Sequence, residues 1–208
     1  MSMLKVLTGF IPWIVFSLVA TREGAGAVTT AALLAFFVAA AFLIVSRVRG
    51  RSPKLLEVTG AVVFAAFGIV GAVNPAVDAF LADYGRALAT FILAVVIFAL
   101  LPVLPFTEQY ARETVPQQYW HSPVFRSVNR RISAAWGAVI AGHAVSTALA
   151  SVLTEPATTL PSRPVDLLFN WVIPVLLTWW AWRYTARVSA HAHDAAAART
   201  AHQTATQV

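Results

Sequence analysis

Glu57, His143 and Asn170 are polar residues that fall inside long apolar runs of this chain. An ionisable group in an apolar medium is costly unless it is paired or neutral, which makes each of them a candidate for function. His143 lies about halfway along its run and has two readings. It is either a proton-carrying or substrate-binding group facing the interior of a helical bundle, or a neutral imidazole hydrogen-bonded to a neighbouring helix. Glu57 sits one turn into its run, within salt-bridge reach of Lys54 and near enough to the end to meet water. Asp166 opens the last run, where a carboxylate suits the positive end of a helix dipole. Asn170, one turn deeper, can hydrogen-bond across helices. No two of these residues have a spacing that acid–base or metal chemistry demands.

The densest polar material is the segment Pro105–Arg131. Thr107 can cap a short helix on which Glu108 and Arg112 pair at i,i+4. Phe106, Tyr110 and Trp120 would then press into a membrane interface while the charges face water. Glu108, Tyr110, Arg112, Trp120 and His121 are thus candidates for docking a protein partner or lipid headgroups, with a passive amphipathic connector as the alternative. Near the C-terminus, His191, His193, Asp194 and His202 are metal-capable types, but Ala/Thr/Gln-rich surroundings fix no geometry, and no metal site is assigned. The chain has no cysteine, which excludes thiolate catalysis, disulfides and cysteine-ligated metals. No phosphate loop, nucleotide fingerprint, zinc-protease motif or serine elbow occurs, so no catalytic residue and no cofactor is assigned.

The elements that must carry these residues follow from composition. Of 208 residues, 59% are hydrophobic and 12% charged, with a mean hydropathy of +0.71. A soluble domain carries about a quarter charged residues, so this chain has too little polar surface for water and its solvent is lipid. Six apolar segments approach the roughly 20 residues that a bilayer core requires: Leu4–Ala20, Val28–Ser46, Leu55–Val73, Ala87–Leu104, Ile132–Val152 and Val165–Tyr184. The expectation is an all-α, polytopic bundle of about six transmembrane helices with a short interfacial helix in the fourth loop. Residues 1–188 would form one transmembrane domain and 189–208 a flexible cytoplasmic tail. A cleaved signal peptide ending near Ala25-Gly26-Ala27 is the competing reading of the first segment. Pro12 within the run, and Arg22 and Glu23 ahead of that site, favour retention.

Orientation follows from counting. The N-terminus (Lys5), the loop with Arg47, Arg49, Arg51 and Lys54, the loop with Arg112, Arg126, Arg130 and Arg131, and the end with Arg183, Arg187 and Arg199 hold 1 + 4 + 4 + 3 = 12 of the 15 Lys and Arg residues. The opposite side has Arg22, Arg86 and Arg163. The positive-inside rule makes the first side cytoplasmic, with both termini inside. Trp179, Trp180, Trp182 and Tyr184 then form an aromatic belt at that side, whereas Trp13 and Trp171 read as packing residues. The net charge of +6 is accounted for by these loops and anionic headgroups, not by nucleic acid.

Helices in lipid pack through small residues. Ala134, Ala138, Gly142, Ser146 and Ala150 recur at every fourth position of the fifth segment, and Ala61, Ala65, Gly68 and Ala72 stripe the third. These stripes point to internal packing, with a homo-oligomer face as the alternative. Pro12, Pro102 and Pro174 each remove a backbone hydrogen bond, and a kink is expected at Pro174.

The layout resembles the intracellular septation protein A family of bacterial inner-membrane-spanning proteins. The resemblance rests on Phe10-Ile11-Pro12, on Ala27–Leu33 (AVTTAAL) opening the second segment, and on the basic loop before Leu55. It extends to Ala135-Trp136 and to the aromatic, basic end of the sixth segment, over roughly residues 4–188. Asn129 stands about one turn further from the tryptophan than the family's asparagine, and Glu108–Trp120 and His143 have no counterpart. The resemblance implies a non-enzymatic protein of the plasma (inner) membrane, acting in septation, cell division or envelope maintenance through contacts with division or cell-wall synthesis membrane proteins. Two other classes remain: a small transporter or channel with Glu57, His143 and Asn170 along a polar path, and a membrane-embedded lipid-modifying enzyme using the Glu108–His121 surface.

Overall fold

The computed structural model describes the backbone of residues 3–20, 26–153 and 163–206, and the side chains of 6–20, 26–153 and 164–192. The Thr21–Gly24 and Thr154–Pro164 connections, Ala25 of the alternative cleavage site, and the side chains of Lys5, His193, Asp194, Arg199 and His202 lie wholly or largely outside these residues. Among the described residues every element is helical: α1 (Met3–Gly9), α2 (Ile11–Val19), α3 (Ala27–Val48), α4 (Leu55–Val73), α5 (Pro75–Leu100), α6 (Phe106–Ala111), α7 (Pro123–Leu153), α8 (Arg163–Leu167) and α9 (Ile173–Thr206), with a 3-10 turn at Gln117–Tyr119 and a π turn at Leu168–Val172.

Among the described residues, five helices are long and apolar enough to cross a membrane: Ala27–Val48, Leu55–Val73, Pro75–Leu100, Pro123–Leu153 and the continuous helical stretch Pro164–Ala192. The chain is a multi-pass membrane protein. The first apolar segment is divided. Pro12 cannot donate a backbone hydrogen bond, and α1 gives way to α2 at Phe10, whose amide turns back to the Leu7 carbonyl (3.0 Å). The two pieces nevertheless follow α4 in parallel. Gly9 lies against Leu56, Trp13 donates from Nε1 to the Leu56 carbonyl (3.3 Å) and covers Gly60, and the Phe16 ring packs on Phe64 and Phe67. Trp13 is a packing residue, as expected, whereas Trp171, expected to pack likewise, is 56% exposed.

Asn74–Arg86 is not the loop that its charges suggest. Asn74 alone joins α4 to α5, and its side chain accepts the Ala76 amide (3.0 Å) while Pro75 occupies the first turn. A capped, proline-primed start followed by an Ala- and Leu-rich run favours helix, so three polar turns extend the apolar span. Likewise α7 begins at Pro123 instead of near Ile132, and its 31 residues reach about 46 Å, well beyond a hydrocarbon core of about 30 Å.

The small-residue stripes are corrected as well. Ala138 is exposed, Gly142 is half-buried against Leu177 of α9, and only Ser146 and Ala150 of that series are fully inside. An i,i+4 series advances about 40° per step on a helix of 3.6 residues per turn, so five members turn away from any single neighbour. The buried face of α7 runs through Ser133, Trp136, Gly137, Ile140 and Ala144, with Gly137 against Ile97 and Phe98 of α5. In α4, Ala72 is exposed and the inward series is Gly60, Phe64, Gly68 and Gly71, where Gly68 admits Leu33 of α3.

Candidate functional site

At the end of the bundle holding the 48–55 and 101–122 connections, α6 turns inward. Phe106, Thr107, Glu108 and Tyr110 are all buried, Tyr110 at 1% exposure. The expected arrangement, with Phe106 and Tyr110 in a lipid interface, is therefore not the one found. The reason is a set of polar anchors on that helix. The Thr107 hydroxyl donates to the Asn129 carbonyl (3.0 Å) and meets Ser133 Oγ (2.8 Å), and the Thr107 amide donates to the same Ser133 oxygen (3.2 Å). Gln109 Oε1 accepts the Leu55 amide (2.8 Å), satisfying one of the unpaired N–H groups at the start of α4. Thr107 thus ties α6 to α7 rather than capping its own helix.

Glu57 and Lys54 do not pair with each other. Glu57, 7% exposed, accepts from the Lys54 amide and from Ser46 Oγ, both at 3.4 Å. Lys54 Nζ instead reaches Glu113 (2.6 Å) and sits 4.2 Å from the Tyr110 ring centroid. The Tyr110 hydroxyl is buried, abuts Gly9, and has no hydrogen-bond partner among the described residues. Burial, reinforced by the carboxylates of Glu57 and Glu113, holds this phenol well above the usual tyrosine range.

Glu108 and Arg112 form the expected i,i+4 pair (2.5 Å). The guanidinium also lies over the Trp120 ring (5.1 Å), while Trp120 Nε1 donates to the Val115 carbonyl (2.8 Å). His121 is exposed, and its Nδ1 accepts from Arg126 (3.2 Å). Of the five docking candidates, Arg112, Trp120 and His121 reach the surface, whereas Glu108 and Tyr110 support them from inside.

His143 and Asn170 belong to a second cluster, where α7 meets the broken last span. His143 Nε2 donates to the Pro174 carbonyl (3.0 Å), and Ser146 Oγ donates to the Phe169 carbonyl (2.6 Å). A carbonyl only accepts, so Nε2 carries the proton. Pro174 has no amide to continue the helix, and the turn before it widens to π geometry. Asn170 bonds within its own helix to Asp166 Oδ1 (2.6 Å) instead of crossing to a neighbour. Glu57 is at the opposite end of the fold, among Ser46, Lys54 and α6, and does not join this cluster.

Two contributors were not identified from sequence. Asp78 of α5 receives the Gly26 and Thr29 amides and the Thr29 hydroxyl, capping α3 from outside. The available signal was Gly26, a helix start without a side chain to cap it. Gln109 does the same for α4, whose N-cap is Lys54, a side chain that cannot accept.

Comparison with family models, with curated proteins and with solved structures finds no match to this chain.

Proposed function

We propose that this chain is a non-enzymatic scaffold of the bacterial inner membrane, acting in cell division or envelope maintenance through contacts with other membrane proteins. It has six membrane passes and both termini in the cytoplasm. The observation that carries this reading is where the polar side chains of the interior end: Asp78 on the start of α3, Thr107 on α7, and His143 and Ser146 on backbone carbonyls of the last span. These contacts hold helices together, and Arg112, Trp120 and His121 reach the surface at the basic end. The parallel course of α1–α2 with α4 supports a sixth pass. Residues that carry the septation-protein resemblance also tie helices to one another: Thr29 to Asp78, Phe10 to Trp136 (6.0 Å between ring centroids), and Trp136 Nε1 to Thr185 Oγ1 (3.1 Å).

In-cell crosslinking from a photoreactive residue at the exposed Gln118 tests this function. Division or cell-wall synthesis membrane proteins should be captured, and R112A and W120A should reduce that capture. Capture of lipid or of second copies alone would count against it. A transporter remains the second reading because a π turn beside Pro174 interrupts a span, a feature of helices that line substrate paths. H143A should abolish activity in that case and leave a scaffold's function nearly intact.

A further inference from the structure

The first turns of α7 and the later turns of α9 enclose a groove of about 590 Å³ lined by Val124, Val128, Arg131, Val188, His191 and Ala192, among others. The apolar run of α7 begins at Ile132 and that of the last span ends at Tyr184, so the groove lies beyond both, on the water side of the bilayer. α6 covers α7 from another side, through Thr107 on Asn129 and Ser133, and leaves this one open. Val124 is 40% exposed there. A concave aliphatic surface in water marks an interaction site.

Charge narrows the occupant. Arg131 and Arg187 are exposed, and among the described residues neither guanidinium has a hydrogen bond or ion pair. Arg126 turns to His121 and Arg130 to the Pro102 carbonyl, neither of which neutralises it. Over residues 123–131 and 187–194 the chain carries these four arginines and one acid, Asp194, leaving a net charge of +3 (4 − 1). Such a rim attracts an acidic partner. Nucleic acid would be attracted as well, but its bases need aromatic rings on which to stack. Among the described residues the lining has no Phe, Tyr or Trp, and His191 is held along α9, donating from Nδ1 to the Arg187 carbonyl (2.7 Å). From Val124 to Arg131 the groove runs about 10 Å, or about two turns of helix. An amphipathic helix presents three or four apolar side chains over that length.

We propose that the α7–α9 groove docks an acidic amphipathic helix of a partner protein. The aliphatic side chains of that helix rest on Val124, Val128 and Val188, and its carboxylates face Arg131 and Arg187. The proposal rests on the scaffold reading and names the chemistry of one partner, at a surface separate from that of Arg112 and Trp120.

The full-length protein in phosphatidylcholine nanodiscs, titrated against a labelled peptide of about 20 residues and read by fluorescence anisotropy over an empty-nanodisc blank, tests it. The peptide carries Leu at i, i+3, i+4 and i+7 and Glu on its other face. It should bind saturably, and a counterpart with Lys in place of Glu should bind roughly tenfold more weakly or worse, because like charges then face each other. R131E should weaken the Glu peptide and strengthen the Lys peptide, a gain that misfolding cannot produce. V124W, which fills the groove and keeps every arginine, should weaken the Glu peptide too. Equal binding of the two peptides, or no effect of either variant, would overturn the proposal. So would equal binding of a Glu/Leu peptide of the same composition scrambled to have no apolar face, since charge alone would then account for the affinity. These outcomes concern purified components and leave the crosslinking result from Gln118 standing, so the groove and the scaffold reading can fail separately.

Discussion

Asp78, in the first turn of α5, accepts the Thr29 hydroxyl at 2.6 Å and the Thr29 amide at 3.0 Å, and so closes the N-terminus of a helix 49 residues earlier in the chain. Its other oxygen takes the Gly26 amide, and Gly71 of α4 gives way to the pair, since a side chain there would collide with Thr29 Oγ1. One carboxylate thus fixes three helices at the end opposite the basic connections.

Removing that carboxylate should loosen the whole end. D78A is expected to destabilise the protein by about 2 kcal/mol, an external cap together with a charge-assisted hydrogen bond. T29V, which loses the hydroxyl but keeps the amide contact, should cost about 1 kcal/mol. Thermal unfolding in detergent, followed by circular dichroism, gives the order; equal loss in both variants would refute it.

The Tyr110 hydroxyl and Gly9 form a tight contact with no hydrogen bond to compensate for burial of the phenol. G9A should therefore destabilise by about 1–3 kcal/mol through overpacking. Y110F should be neutral or stabilising, because it removes an unsatisfied polar atom. Combining the two should recover much of the G9A loss, and a double-mutant cycle reads that coupling directly.

The same phenol predicts a dependence on alkaline pH. Its pKa in the folded protein is raised above the ordinary tyrosine value near 10. The unfolded chain therefore gives up this proton first, so the contribution of Tyr110 to stability is complete below about pH 10 and declines above it. Melting temperatures of the wild type should fall more steeply than those of Y110F between about pH 10 and 11. Parallel profiles would show that the phenol is not shielded.

His143 serves a carbonyl of the last span, and H143A should lower stability by about 1 kcal/mol, a typical interhelical hydrogen bond in a membrane. H143Q retains a donor and should recover part of it. Complementation of a deletion strain separates the readings, since a scaffold tolerates H143A at permissive temperature and a transporter does not.

Topology can be read on a chain with no native cysteine. A cysteine at the exposed position 76, beside the α4–α5 joint, should react with an impermeant maleimide applied to intact cells. One at position 51 should react only after permeabilisation. The reverse pattern would invert the proposed orientation.

Apolar length and charge placement are local properties, and reading along the chain was enough to identify an all-helical membrane protein and to separate its basic connections from the rest. Helix ends were less legible. Asn74-Pro75 is itself a helix start, but the charges at Asp78, Asp83 and Arg86 resemble a loop until the cap is seen. The facing of side chains was decided only by the tertiary structure. Ala138 and Ser146 share a spacing yet face lipid and protein respectively, because the helix turns between them. Lys54 passes over Glu57 for Glu113, which α6 brings within reach from far along the chain. Even His143, conspicuous from its position alone, owes its partner to a proline that left the helix opposite irregular. Hydropathy records which residues enter the bilayer; which polar atoms meet across helices depends on the docking of those helices, and no short window of sequence contains both such partners.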